Sequence, residues 1–165
     1  MVSREKIYEW LADVADPEVP VLSILDLGIV REVSVSVMDA GTEAVKVIIT
    51  PTYSGCPAMD VIAMQIRLNL LSHGIKHVTI DSRLSPAWTT DWMTENGKRK
   101  LTEYGIAPPV RRAGAATDLF EEDKVPCPRC GSADTQLSSQ FGPTACKSLY
   151  RCNSCLEPFE HFKCH

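Results

Sequence analysis

The sequence predicts an α+β protein in two parts: a small three-stranded sheet with helices packed on it, then a small zinc-ribbon module. Three observations predict this. Residues 1–106 interleave helical and strand periodicities in the order helix, two strands, helix, strand, helix. Six of the seven cysteines crowd into the last 39 residues. Between them, residues 107–124 carry consecutive prolines, paired arginines, small residues and an acidic run with no apolar period, which reads as a linker. The expected division is therefore 1–106, a linker at 107–124, and a ribbon at 125–165.

The bulk numbers fit an ordinary globular chain. Its 165 residues are 44% hydrophobic and 23% charged, with a net charge of −4. An acidic balance argues against nucleic acid as a partner, since such proteins favour a basic face. The opening MVSREKIYEWLADV is charged and lacks the apolar centre of a secretion signal. No run approaches the roughly 18 apolar residues that span a bilayer. The expectation is a cytoplasmic protein with no membrane partner.

Ser3 can cap a first helix that places Ile7, Trp10, Leu11 and Val14 on one face and stops near Asp16, ahead of Pro17. Asp16–Val30, DPEVPVLSILDLGIV, reads as a turn followed by a short buried element. Ile29–Val37 alternates through Val33, Val35 and Val37, and Val45–Thr50 alternates again after the turn residues Asp39, Ala40 and Gly41. These two strands should form a hairpin. Ala58–Leu71 is apolar on nearly every face, which predicts a helix packed deeply against the sheet. Gly74 ends it, and His77–Ser82 is a third strand. His73 and His77 read as surface or capping residues. Trp88 and Trp92 fit either the core or an aromatic docking surface. A polar helix over roughly Thr94–Tyr104 closes the first part at Gly105.

The tail holds two C-x-x-C pairs, Cys127/Cys130 and Cys152/Cys155, with 21 residues between them. Each short turn can bring two thiolates onto one ion, and two turns complete a tetrahedron. About 40 residues rarely bury enough apolar surface to fold without a staple. One structural zinc, worth on the order of 10–16 kcal/mol of binding free energy, would supply it. A thioredoxin-like redox pair would need a surrounding βαβ pattern that the tail lacks. Cys146, Cys164, His161 and His165 read as spectators, with a ligand exchange or a second site as the alternative.

Thr50–Ala58, TPTYSGCPA, lies between a strand and a helix. Gly55 allows a backbone that side chains resist, Pro57 suits a helix start, and Cys56 sits between them near unpaired N–H groups. A helix end contributes roughly 0.3–1 kcal/mol, less than one pKa unit, so a thiol starting near 8.5 stays mostly protonated. That favours a soft-metal ligand over a hydrolytic nucleophile, because a metal can deprotonate a thiol outright.

DPEVPVLSILDLGIV followed by TPTYSGCPAMDVI resembles the SufT-like family of iron–sulfur assembly factors across about residues 1–106. With SPAWTTDWM and the tail CPRCG…CNSCLEPFEHFKCH, the chain is similar to the branch of that family encoded with the phenylacetyl-CoA epoxidase of aerobic phenylacetate degradation. The resemblance implies a non-enzymatic accessory protein that assists cluster assembly or repair in the epoxidase reductase, whose cluster is of the plant type. It implies Cys56 as the cluster or iron ligand, with Asp16 and Glu18 beside it and Asp26 supporting the loop. A lone thiol offers one ligand where a stable cluster wants four, which fits transient holding or sharing across a homodimer. Other epoxidase subunits or assembly factors are further partners it implies, with the ribbon as a docking module. Two other classes stand beside this one: a regulatory or nucleic-acid-binding ribbon protein, and a structural or thiol-redox subunit of the oxygenase.

Overall fold

A computed structural model describes residues 2–38, 41–110 and 124–163. The chain divides into two compact units, Met1–Gly97 and Lys98–His165.

In the first unit, α1 spans Arg4–Leu11, and the Ser3 hydroxyl accepts the Lys6 amide at 3.2 Å as its cap. The helix ends sooner than its apolar period predicts. Asp13 and Val14 bond three residues back, to Trp10 and Leu11, so the chain leaves in a tighter turn that still buries Val14. The expected short buried element after Asp16 is a compact loop rather than a regular one. It buries Val19, Leu22, Ile24, Leu27 and Ile29 and closes through one bridge between Ala15 and Ser23.

Strand β1 (Val30–Val37) pairs antiparallel with β2 (Glu43–Ile49), and β2 pairs parallel with β3 (His77–Ser82), in the order β1-β2-β3. The expected hairpin is present, though its turn residues Asp39 and Ala40 lie outside the described residues. Helix α2 (Ala58–Ser72) is the crossover that makes the β2–β3 pairing parallel. It is buried on one side only, through Ala58, Ile62, Ile66 and Leu70. The expected deep packing is confined to that face, for Val61, Met64, Leu68 and Leu71 are exposed. The reason is architectural: among the described residues of the first unit, the helix has a sheet beneath one face and no layer over the other.

The segment after β3 returns to the early loop. The indole N–H of Trp88 donates to the Leu27 carbonyl at 2.8 Å, in the core. Trp92 is half-buried and its ring carries the Arg31 guanidinium at 3.6 Å, where the β1–β2 register slips. Gly28 has φ +68°, and a Cβ there would meet the Trp92 carbonyl oxygen at 2.1 Å. Of the two readings the sequence left open, the core one therefore holds for Trp88.

Helix α3 (Glu95–Tyr104) follows, with Thr94 capping it through the Gly97 amide at 3.0 Å. In the second unit, the short strand β4 (Ile106–Ala107) runs parallel to β7 (Pro158–Phe162), which pairs antiparallel with β6 (Lys147–Cys152); β5 (Thr135–Ser139) completes the order β4-β7-β6-β5. Most of the stretch read as a linker, 111–123, lies outside the described residues. Among the described residues, one small core cluster of this unit joins Ala107, Val125, Cys127, Tyr150, Cys152 and Phe159, with Leu137 against it. Two of those six are cysteines of the paired motifs, so the packed core and the sulfur cluster are continuous.

Candidate functional site

Cys127, Cys130, Cys152 and Cys155 converge, with all four sulfurs within 4.8 Å of one another. Cys127 and Cys155 stand 3.8 Å apart, and Cys130 and Cys152 3.5 Å apart. A tetrahedral ion with Zn–S bonds of about 2.3 Å sets its sulfurs near 3.8 Å, so the donor set fits zinc in type, number and spacing. Backbone geometry prepares the site. Cys127 and Cys152 donate their amides to the Ser132 and Glu157 carbonyls at 2.9 and 3.0 Å, which folds each pair into a tight turn. The Ser132 and Ser154 hydroxyls bond at 2.8 Å and tie one turn to the other.

Electrostatics ask for a cation here. The Cys155 amide, with the Ser154 amide and neighbouring thiols behind it, draws the Cys152 thiol down to about 6. Cys155 goes the other way. The Glu157 amide favours its thiolate, but burial and the crowding thiols drive it up to about 12. Four sulfurs this close cannot all ionise against one another, and a bound dication removes that conflict. Cys146 stands outside the cluster, buried before β6, with its sulfur 3.1 Å from the Thr144 hydroxyl. His161 is buried on β7, its Nδ1 3.4 Å from the Ser148 hydroxyl and its ring edge-on to Tyr150. Cys164 and His165 lie outside the described residues.

The second candidate is the turn that leads into α2. Gly55 adopts φ +77°, and the helix proper begins at Ala58, with Pro57 in the capping position rather than in the first turn. The Cys56 amide donates to the Tyr53 carbonyl at 3.3 Å, and its own carbonyl accepts from Met59. Its thiol is half-buried. Burial pushes the thiol above its ordinary value; the Ala58 amide and the Tyr53 side chain pull it down, and the Glu18 and Asp16 carboxylates push it up again. The slight activation expected from the helix end is therefore outweighed. Desolvation and two acids win over one amide and one side-chain hydrogen bond.

That set of influences also locates the acidic loop, since Asp16 and Glu18 act on Cys56 from about forty positions earlier in the sequence. Asp16 is buried, and its Oδ1 accepts the amides of Glu18 and Val19 at 2.8 and 2.7 Å. Those bonds fix the turn that presents Glu18. Asp26 is engaged elsewhere: it accepts the Ser23 amide and hydroxyl at 3.0 Å, and the Thr94 and Asn96 side chains at 3.2 Å. Tyr53 is a participant that sequence reasoning passed over. Its only signal was its place three residues before the cysteine, in a turn tight enough to bring the ring back. His73 caps the end of α2 and stacks on Trp10 with ring centroids 4.3 Å apart; His77 begins β3, exposed.

Two family descriptions match the two parts: an iron–sulfur cluster assembly protein over residues 4–80, and a PaaD zinc beta ribbon domain over residues 111–163. Over 159 residues, 96% of this chain and 92% of the other, it is 48% identical to a putative 1,2-phenylacetyl-CoA epoxidase subunit of Escherichia coli K12. The chain belongs to the PaaD family. A second relative, an Fe-S protein maturation auxiliary factor of Porphyromonas gingivalis, is 37% identical over 60% of this chain and 90% of its own. A solved structure of a domain of unknown function, DUF59, from Bacillus anthracis covers 59% of this chain and 89% of its own, with TM-score 0.51 and 24% identity, a likeness of fold alone. The PaaD combination is thus an assembly-type first part joined to a four-cysteine ribbon. No helix among the described residues is long and apolar enough to cross a membrane.

Proposed function

We propose that this chain is a non-enzymatic accessory protein of a phenylacetyl-CoA epoxidase system, and that it assists iron–sulfur assembly or repair in the reductase component. The observation that carries the reading is the Cys56 turn: one half-buried thiol, the Tyr53 side chain, and the Glu18 and Asp16 carboxylates bearing on it. A thiol held mostly protonated at neutral pH is a poor nucleophile, yet it releases its proton on meeting a metal, so capture and release are both accessible. The carboxylates that disfavour a bare thiolate favour a cation beside it. Iron or a cluster is cargo here. A single sulfur falls short of the four that hold a cluster durably, which suits handing it on.

Bound zinc would give the ribbon the folding energy that its small core lacks, held by Cys127, Cys130, Cys152 and Cys155. On this reading the ribbon recognises the client, and Asp26 braces the acidic loop. The names of the relatives support the system and the class of activity. The test replaces Cys56 by Ser and measures cluster occupancy in the co-expressed reductase. Reduced occupancy with an intact fold is expected; full occupancy would remove Cys56 from the role.

A further inference from the structure

The outer face of α2 is apolar where a surface helix is usually polar. Val61, Met64, Leu68 and Leu71 are 38, 56, 57 and 43% exposed, on the side away from the buried Ile62, Ile66 and Leu70. They are spaced three, four and three residues apart, the spacing of a and d seats in a heptad, and form one stripe roughly 80° wide.

We propose that this stripe is the contact through which two copies of the chain pair, with their α2 helices antiparallel. Symmetry favours a second copy, because a two-fold contact needs a surface that complements itself. The three-four-three order reads the same in both directions about Ile66. An antiparallel copy therefore sets Val61 against Leu71 and Met64 against Leu68, twice each.

Charge favours the direction. Asp60 and Arg67 flank the same side of the stripe, one heptad apart. In the antiparallel pair each Arg67 lies between its counterpart and the other copy's Asp60, so each guanidinium can turn from like charge to a carboxylate. A parallel pair would set Asp60 and Arg67 against neutral Gln65 and Ser72, with both helix dipoles pointing the same way. The contact is small beside the roughly 800 Å² per partner of a durable complex, so pairing is reversible and depends on concentration. It also places the two Cys56 turns at opposite ends, about 30 Å apart at 1.5 Å per residue. No cargo could then be shared between the two thiols, and each would hold its own.

Sedimentation velocity on the full chain over a concentration series tests the pairing. The wild type should form a dimer that grows with concentration, and Leu68→Lys should lose it at unchanged circular dichroism and melting temperature. Should Leu68→Lys fold poorly, Met64→Lys, equally exposed, replaces it. Under mild oxidation Arg67→Cys should yield a linked 67–67 peptide by mass spectrometry, whereas Val61→Cys should yield no 61–61 peptide. A wild type that stays monomeric, a Lys variant that still pairs, or a 61–61 link in place of the 67–67 link overturns the proposal.

Discussion

Gly131 and Leu156 hold the same place in the two cysteine turns, each directly after the second cysteine of its pair. Both are left-handed, with φ of 77° and 66°. Only one of them is a glycine. Leu156 is 61% exposed, so no packing offsets the strain of a side chain in that region, a cost of roughly 1–2 kcal/mol. Leu156→Gly relieves it and loses part of the gain to unfolded-chain entropy. The expected net effect is a ribbon more stable by about 0.5–1 kcal/mol, read as a shift in the chelator concentration that unfolds it.

The four-cysteine site and the ribbon core share Cys127 and Cys152, so a bound metal and the fold should be lost together. Cys127→Ser, or chelation of the wild type, is expected to expose β5–β7 to protease while the first unit keeps its strands and helices. Limited proteolysis with mass mapping reads both at once. A ribbon that survives either treatment intact would speak for a redox pair instead.

At Gly28 the geometry is less forgiving than at any other described glycine. A Cβ would lie 2.1 Å from a backbone oxygen in a segment pinned by Trp88, and φ is already +68°. Gly28→Ala should destabilise the first unit by about 3 kcal/mol or more, combining left-handed strain with overpacking against main chain that cannot move aside. Urea denaturation followed by tryptophan fluorescence measures it. Gly41→Ala is the control: nothing lies within 4 Å of its Cβ position, so only the strain should register.

Cys56 offers a check through its proton. Because burial and the two carboxylates hold the thiol above its usual value, its alkylation should keep accelerating at pH values where an ordinary cysteine has levelled off. Glu18→Gln removes a negative charge, lowers the thiol pKa and should speed alkylation at neutral pH. Peptide-resolved mass spectrometry separates Cys56 from the other six cysteines. A slower reaction in Glu18→Gln would contradict the electrostatic account.

Much of the fold was legible because its signals are local. Ser3, the alternating valines, Gly74 and Gly105 mark boundaries within a few residues of where they act. The paired cysteines declared their site through spacing alone. What could not be read is what depends on a partner distant in sequence. Nothing local to Ala58–Leu71 tells a helix covered on both sides from one with a bare face; only the number of layers decides. The acid–thiol relation at Cys56 joins residues about forty positions apart, and Tyr53 reaches it through a turn whose shape rests on Gly55. For Trp88 and Trp92 the question was burial, and the answer differed between them because one indole N–H found the Leu27 carbonyl.

That last bond, with the Thr94 and Asn96 side chains on Asp26, closes loops of 61, 68 and 70 residues. Loop closure over such spans costs chain entropy before any contact offsets it, so these links should form late, after the sheet. The iron–sulfur assembly description matches residues 4–80 only, ahead of all three donors. A fragment cut at residue 80 would hold nearly every residue of its sheet and still leave Asp26 and the Leu27 carbonyl seeking donors. The smallest piece able to fold on its own is therefore set by where hydrogen bonds close, some fifteen residues beyond the end of that description.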